Sequence, residues 1–185
     1  MTRNRTGGQV SLDELGLGRA YVLGAGQGEH SLGNGGVRTL IARAVDTHGD
    51  LSILMTAGDA SAPTMPHFHR QTTEITYVVS GLVRIWLDDQ NGTRFTRDVG
   101  PGEFAMLPRN WIHAWAFAAP GSKQIGFIAP GGFERIVDYL APDGPTPVER
   151  LRESEAHIDV RWMPDYPLIE LCEEAERSAA VARDR

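Results

Sequence analysis

Short apolar runs broken by glycine and proline dominate residues 20–129. Runs of strand length lie at 20–23, 39–44, 51–55, 74–79, 82–87, 104–107, 113–117 and 125–128. Within the fifth of these, Val83, Ile85 and Leu87 alternate with Arg84, Trp86 and Asp88, a period of two that specifies a strand. Ser80-Gly81, Asn91-Gly92 and Gly100-Pro101-Gly102 supply turns between the runs. Many short strands with closely spaced turns predict an all-β antiparallel sandwich or barrel. Beyond Gly131-Gly132 the period changes. Phe133, Ile136, Val137 and Leu140 share one helical stripe over 133–140, a polar helical stretch follows over 149–157, and 167–183 reads as a C-terminal helix.

This pattern divides the chain into an N-terminal arm (residues 1–18), a β domain (19–130) and a helical appendage (131–185). At 185 residues with 41% hydrophobic and 23% charged positions, the composition is that of one globular domain able to fill a core. The net charge of −6 provides no general attraction to phosphate backbones or anionic lipid, so neither nucleic acid nor membrane is expected as a partner. The polar start and the lack of any apolar run of ~18 residues lead to an expectation of a cytoplasmic protein. One cysteine, Cys172, excludes an intramolecular disulfide and a multi-cysteine zinc site. It lies in the C-terminal helix, where a small buried apolar role is expected.

Three of the six histidines fall into a pattern. His67-Phe68-His69 places two imidazoles at i and i+2, on the same face of a strand. Glu74 follows at the wrong parity for one unbroken strand, but the polar stretch 70–73 supplies a turn or bulge that lets it face back to the pair. His113 begins a later strand after the turn at Pro108-Arg109-Asn110. Three neutral imidazoles and a carboxylate suit one first-row divalent ion: Fe, Mn, Co, Ni, Cu or Zn. His30, His48 and His157 match no such pattern and are expected at the surface.

These residues carry a resemblance. Pro66-His67-Phe68-His69, Glu74 and Gly81 resemble the first motif of the cupins; Gly102, Pro108-Arg109-Asn110 and His113 resemble the second, twenty residues on. The resemblance implies a small jelly-roll β-barrel, here with short C-terminal helices, whose interior holds one metal on His67, His69, Glu74 and His113. Ser61 and Asn110 stand where the motifs usually have glycine, and Phe117 where the second often ends in asparagine. Asn110 is the substitution that best tolerates a positive φ.

Stretches 81–86, 98–114 and 129–135, ending in Pro130-Gly131-Gly132-Phe133-Glu134-Arg135, resemble single-domain bacterial quercetin 2,3-dioxygenases. That resemblance implies a metal-dependent dioxygenase that opens a flavonol or related planar phenolic ring with O2 and releases CO. Glu74 then both binds the metal and takes the phenolic proton. Trp115 and Phe117, on the face of His113, with Phe104 and Met106, are candidate walls of the substrate pocket. The same metal site could instead cyclise, isomerise or oxidise an aromatic biosynthetic intermediate, or bind a small molecule without catalysis. Self-association into a homodimer through a sheet edge or the N-terminal arm is also expected.

Overall fold

The computed structural model describes residues 20–33, 36–141 and 146–183; the expected N-terminal arm lies outside them. Eleven strands are present among the described residues: β1 (Glu29–Gly33), β2 (Gly36–Ala42), β3 (Ser52–Gly58), β4 (His67–Phe68), β5 (Thr73–Ser80), β6 (Val83–Asp88), β7 (Arg94–Val99), β8 (Phe104–Leu107), β9 (Ile112–Phe117), β10 (Ser122–Ala129) and β11 (Arg161–Trp162). The helices are α1 (Val148–Ser154) and α2 (Leu168–Arg183), with 3-10 turns at Ala44–Thr47 and Phe133–Asp138. None is long and apolar enough to cross a membrane.

The strands form two antiparallel sheets, β1-β2-β3-β10-β5-β8 and β11-β4-β9-β6-β7. The all-β sandwich read from periodicity is therefore the architecture found, with two differences. Residues 20–23 are not a strand; Leu23 packs against the cluster of Leu40, Leu54 and Ile128 from an irregular segment, and the Tyr21 hydroxyl donates to the Ile41 carbonyl at 2.8 Å. Conversely β1 and β7, which carry polar or charged residues at most positions, hydrogen-bond on one side only, so little of their sequence is obliged to be apolar.

Val78, Val83, Ile85, Leu87, Val99, Leu107 and Phe117 fill the space between the sheets where β5 and β8 meet β6, β7 and β9. Each such side chain, fully buried, contributes roughly 1.5–3 kcal/mol. On the outer face of the second sheet, Trp86, Ile112, Ala114 and Ala116 are covered by Leu168 and Cys172 of α2, which places the cysteine in the apolar role expected of it. Burial there pushes the Cys172 thiol up. The chain after Ala129 does not stay outside the sheets. Ile136, Leu151, Ile158 and Val160 form a fourth apolar cluster, and β11 returns to pair with β4.

The turn at Ser80-Gly81 shows why its glycine is required. Gly81 has φ +72°, and a Cβ there would lie 2.3 Å from Ser122 Oγ and 2.5 Å from Ser122 Cα. That hydroxyl bonds both the amide and the carbonyl of Leu82, so it cannot move without loosening the start of β6. Gly81→Ala is expected to cost about 2–4 kcal/mol, read as a lowered midpoint in denaturant at unchanged slope. An unchanged midpoint would refute this account of the turn.

Candidate metal centre

The His67–His113 pair forms a rung of the β4–β9 ladder, so both rings leave the second sheet side by side, 4.3 Å between centroids. His69 follows β4 directly, and its carbonyl accepts from the amide of Asn110 at 2.7 Å. Asn110 has φ +63°, the left-handed conformation anticipated for a residue replacing glycine in this turn. Glu74 enters from the opposite sheet on β5. The turn that re-aims it spans Arg70, Gln71 and Thr72, whose amides all donate to the carboxylate of Asp159, at 3.1, 2.7 and 2.9 Å.

One ligand atom from each of His67, His69, Glu74 and His113 lies within 4.8 Å of all the others. The orientation of each ring is fixed from behind. Nδ1 of His67 donates to the Met65 carbonyl at 2.8 Å, Nδ1 of His113 to the Trp111 carbonyl at 3.0 Å, and Nδ1 of His69 to the Asp159 carbonyl. With the proton committed to Nδ1, the Nε2 lone pair of each ring is free to coordinate. Nε2 of His69 sits 3.1 Å from Glu74 Oε1, and Nε2 of His113 sits 3.8 Å from Glu74 Oε2. Neither contact has the alignment of a hydrogen bond: both Nε2 atoms and Glu74 Oε1 are buried without a hydrogen-bond partner. Orphaned polar atoms of this kind are costly unless something satisfies them, and a cation at their common centre would satisfy all three. The donor set therefore fits a first-row divalent ion.

The electrostatics agree. Burial drives His67 well below its ordinary value, with His113 and His69 adding to the fall, and burial takes His113 down to about 4. Burial alone would push Glu74 up, but the contact with His69 and the field of the other two imidazoles outweigh it and bring the carboxyl down to about 2. His69 goes the other way: burial lowers it, yet the Glu74 carboxylate holds it above its ordinary value. His67, His113 and Glu74 are therefore deprotonated at neutral pH, ready to coordinate.

Beside this cluster opens a cavity of about 1100 Å³, largely apolar. Trp115 lines it. Phe117 does not; it is 1% exposed in the core between the sheets. Phe104 and Met106, expected in the pocket, lie on the opposite face of the first sheet and are 65% and 52% exposed. The reason is register: Glu74 pairs with Leu107 across β5 and β8, so Leu107 shares its inward face while residues 104 and 106 point outward. The pocket's aromatic wall comes instead from Phe133, whose ring centroid is 4.6 Å from His69 and 6.1 Å from His67, and from Trp162, 4.8 Å from His67. Phe133 belongs to the Pro-Gly-Gly-Phe-Glu-Arg phrase. Its neighbour Glu134 is buried and accepts from the amides of Ala44 and Gly132 at 2.8 and 2.6 Å, which fixes Phe133 over the imidazoles. Two further participants, Asp159 and the cavity residue Arg38, carry no local motif. Arg38 shares the parity of Leu40 and Ala42 in β2, and a charge on an apolar face was its signal.

The Cupin family profile matches residues 30–129 of the chain. Among curated proteins, quercetin 2,3-dioxygenase of Bacillus subtilis (strain 168) is 27% identical over 114 residues, 62% of this chain and 32% of that protein. Quercetin 2,3-dioxygenase of Aspergillus japonicus is 34% identical over 76 residues, 41% of this chain and 22% of that protein. The matches thus span a third or less of those relatives' length. A variant of Bacillus subtilis oxalate decarboxylase superposes with a TM-score of 0.53 at 22% identity, covering 60% of this chain and 29% of that one, a likeness of fold alone. With both motifs inside the matched segment and their four donors converging between two antiparallel sheets, the chain belongs to the cupin family.

Proposed function

We propose that the protein is a metal-dependent dioxygenase that cleaves a flavonol or related planar phenolic ring, using O2 and releasing CO. The observation that carries the reading is the meeting of a His67-His69-Glu74-His113 donor set with a largely apolar cavity. The two relatives named quercetin 2,3-dioxygenase support it. A bound divalent ion of the first row (Ni, Fe, Mn, Co or Cu) would supply Lewis acidity, holding the phenol as its anion.

The chain's own residues do the rest. Phe133 and Trp162 present flat faces beside the imidazoles, against which a planar ring can lie. Glu74 is the carboxylate of the cluster, so it takes the phenolic proton as well as serving as ligand. Its low pKa makes it a weak base, matched to a phenol whose acidity is raised by the ion rather than to a free one. Leu54, Ile128 and Ile136 exclude water from the ring.

Oxygen uptake with quercetin is expected from protein reconstituted separately with Fe, Mn, Co or Ni, accompanied by CO, and reduced by at least about 100-fold in Glu74→Gln. Tight metal binding without uptake on any flavonol would replace this reading with cyclisation or isomerisation, which consumes no oxygen. Metal loading also has a pH signature. Because Glu74 raises the His69 pKa, metal binding is expected to release a growing fraction of a proton as the pH falls, and affinity to drop by up to about tenfold per unit below the raised His69 value. Calorimetry in buffers of different ionisation enthalpy reads the proton count; zero release would overturn this assignment of the His69 proton. In the metal-free protein the His69 contribution to stability is present below its ordinary value and lost as pH rises through the raised one. The Glu74 contribution is present above its ordinary value and lost as pH falls toward about 2. Finally, Asp159→Ala is expected to weaken metal binding about 10–100-fold without removing a ligand, measured by competition with a chelator; undiminished affinity would show that the loop holds itself.

A further inference from the structure

The inner face of the first sheet carries a polar row four residues along β10 from the row of Glu74. Across β2, β3 and β10 the register sets Arg38 opposite Thr56 and Thr56 opposite Gln124, and all three side chains line the cavity. Nη1 of Arg38 and Oε1 of Gln124 are both buried with no hydrogen-bond partner among the described residues. One is a charged donor, the other an acceptor. The guanidinium is seated against backbone: a Cβ on Gly33 would approach Nη1 to 3.2 Å, so the glycine leaves the room it occupies. Between this row and the Glu74 row the sheet has a gap, because Gly126 lines the cavity without a side chain, and a Cβ there would meet only the Leu54 carbonyl at 3.8 Å.

We propose that Arg38 is a second anchoring point that binds a carboxylate on the substrate, so that the substrate class is a phenolic acid whose hydroxyl goes to the metal centre. This rests on the metal-centre reading given above and, among the planar phenols that reading admits, selects one bearing a carboxylate over the flavonol itself. Charge supports it. With neutral imidazoles, a divalent ion and Glu74 leave +1 at the centre, and Arg38 raises the cavity to +2. A phenolate cancels one of these charges; a phenolate that also bears a carboxylate cancels both. Burial lowers Arg38 to about 10 against the pull of Glu74, which leaves it charged at neutral pH. A buried guanidinium whose Nη1 has no partner among the described residues costs stability, so its presence calls for an anion that arrives with the ligand. Length supports the proposal too. Gln124 lies four residues along β10 from Ile128, the partner of Glu74, or about 13 Å of strand. A two-point ligand must therefore be extended, with an aromatic ring between its polar ends.

The test is calorimetric binding of 4-hydroxycinnamate and of its methyl ester to the full chain, metal-loaded and metal-free. The acid is expected to bind about tenfold to a hundredfold tighter than the ester, the worth of a charge-assisted hydrogen bond. Arg38→Met is expected to abolish that preference while leaving the ester's affinity, and Arg38→Lys to restore part of it. Arg38→Met is also expected to melt at the same temperature as the parent or higher, which a structural arginine would not allow. Equal binding of acid and ester to the unaltered protein, no binding of either, or a preference that survives Arg38→Met overturns the proposal; the first two need no variant to fold. A preference for the acid that is as strong without metal as with it, and no tighter binding on metal loading, leaves Arg38 as the carboxylate site and removes the metal from substrate binding. The two readings thus fail separately.

Discussion

The carboxylate of Asp159 is the constraint on which the rest of the site depends. Two imidazoles at i and i+2 leave β4 on one face, and a carboxylate five residues later can reach them only if the chain turns between. Turning takes the amides of residues 70–72 out of any ladder, and three unpaired N–H groups would otherwise be left beside a buried centre. Asp159 accepts all three, and its own carbonyl accepts from His69. Burial acts to raise its pKa, but the loop amides overcome that and keep it ionised. The C-terminal segment is in this sense part of the metal site, although it supplies no ligand.

Among the described residues, the buried polar atoms without hydrogen-bond partners include three at the donor cluster, His69 Nε2, Glu74 Oε1 and His113 Nε2, and two at the row of Arg38 and Gln124. Asp88, by contrast, is fully satisfied: it receives Arg94 at 2.6 Å, Tyr166 at 2.5 Å and the Gln90 amide at 2.6 Å. A fold that satisfies Asp88 so completely is capable of satisfying Arg38. Leaving charges and lone pairs unmatched in one cavity is a cost to stability that makes sense where ligands complete the set.

Most of the strand pattern was legible in the sequence because it is local. Alternation over β6, the turn glycine at 81 and the αL asparagine at 110 each follow from the chemistry of a few neighbouring residues. The ligand cluster was legible for a similar reason, since two motifs fix it. What a single sequence does not carry is which strands pair and in what register. Phe104 and Met106 share a parity, but whether that parity faces inward is decided by the pairing of Glu74 with Leu107. Asp159 lies 87–90 residues from the groups it binds, and nothing in its own neighbourhood marks it.

β9 shows how one strand reconciles these demands. Its inward side chains meet three different fates: His113 joins the donor cluster, Trp115 lines the cavity and Phe117 closes the core. Its outward side chains include Ala114 and Ala116, 0% and 5% exposed, and their small size lets α2 lie close against the strand. The alternation of large and small residues is therefore not only core filling. Side chains large enough to build the site can stand on one face because the other face is flat enough to be clamped by a helix. A strand held on both faces places His113 within the tolerance that metal coordination demands. The same clamp explains why a helix that contributes no donor to the cluster has its most buried residues, Leu168 and Cys172, directly behind it.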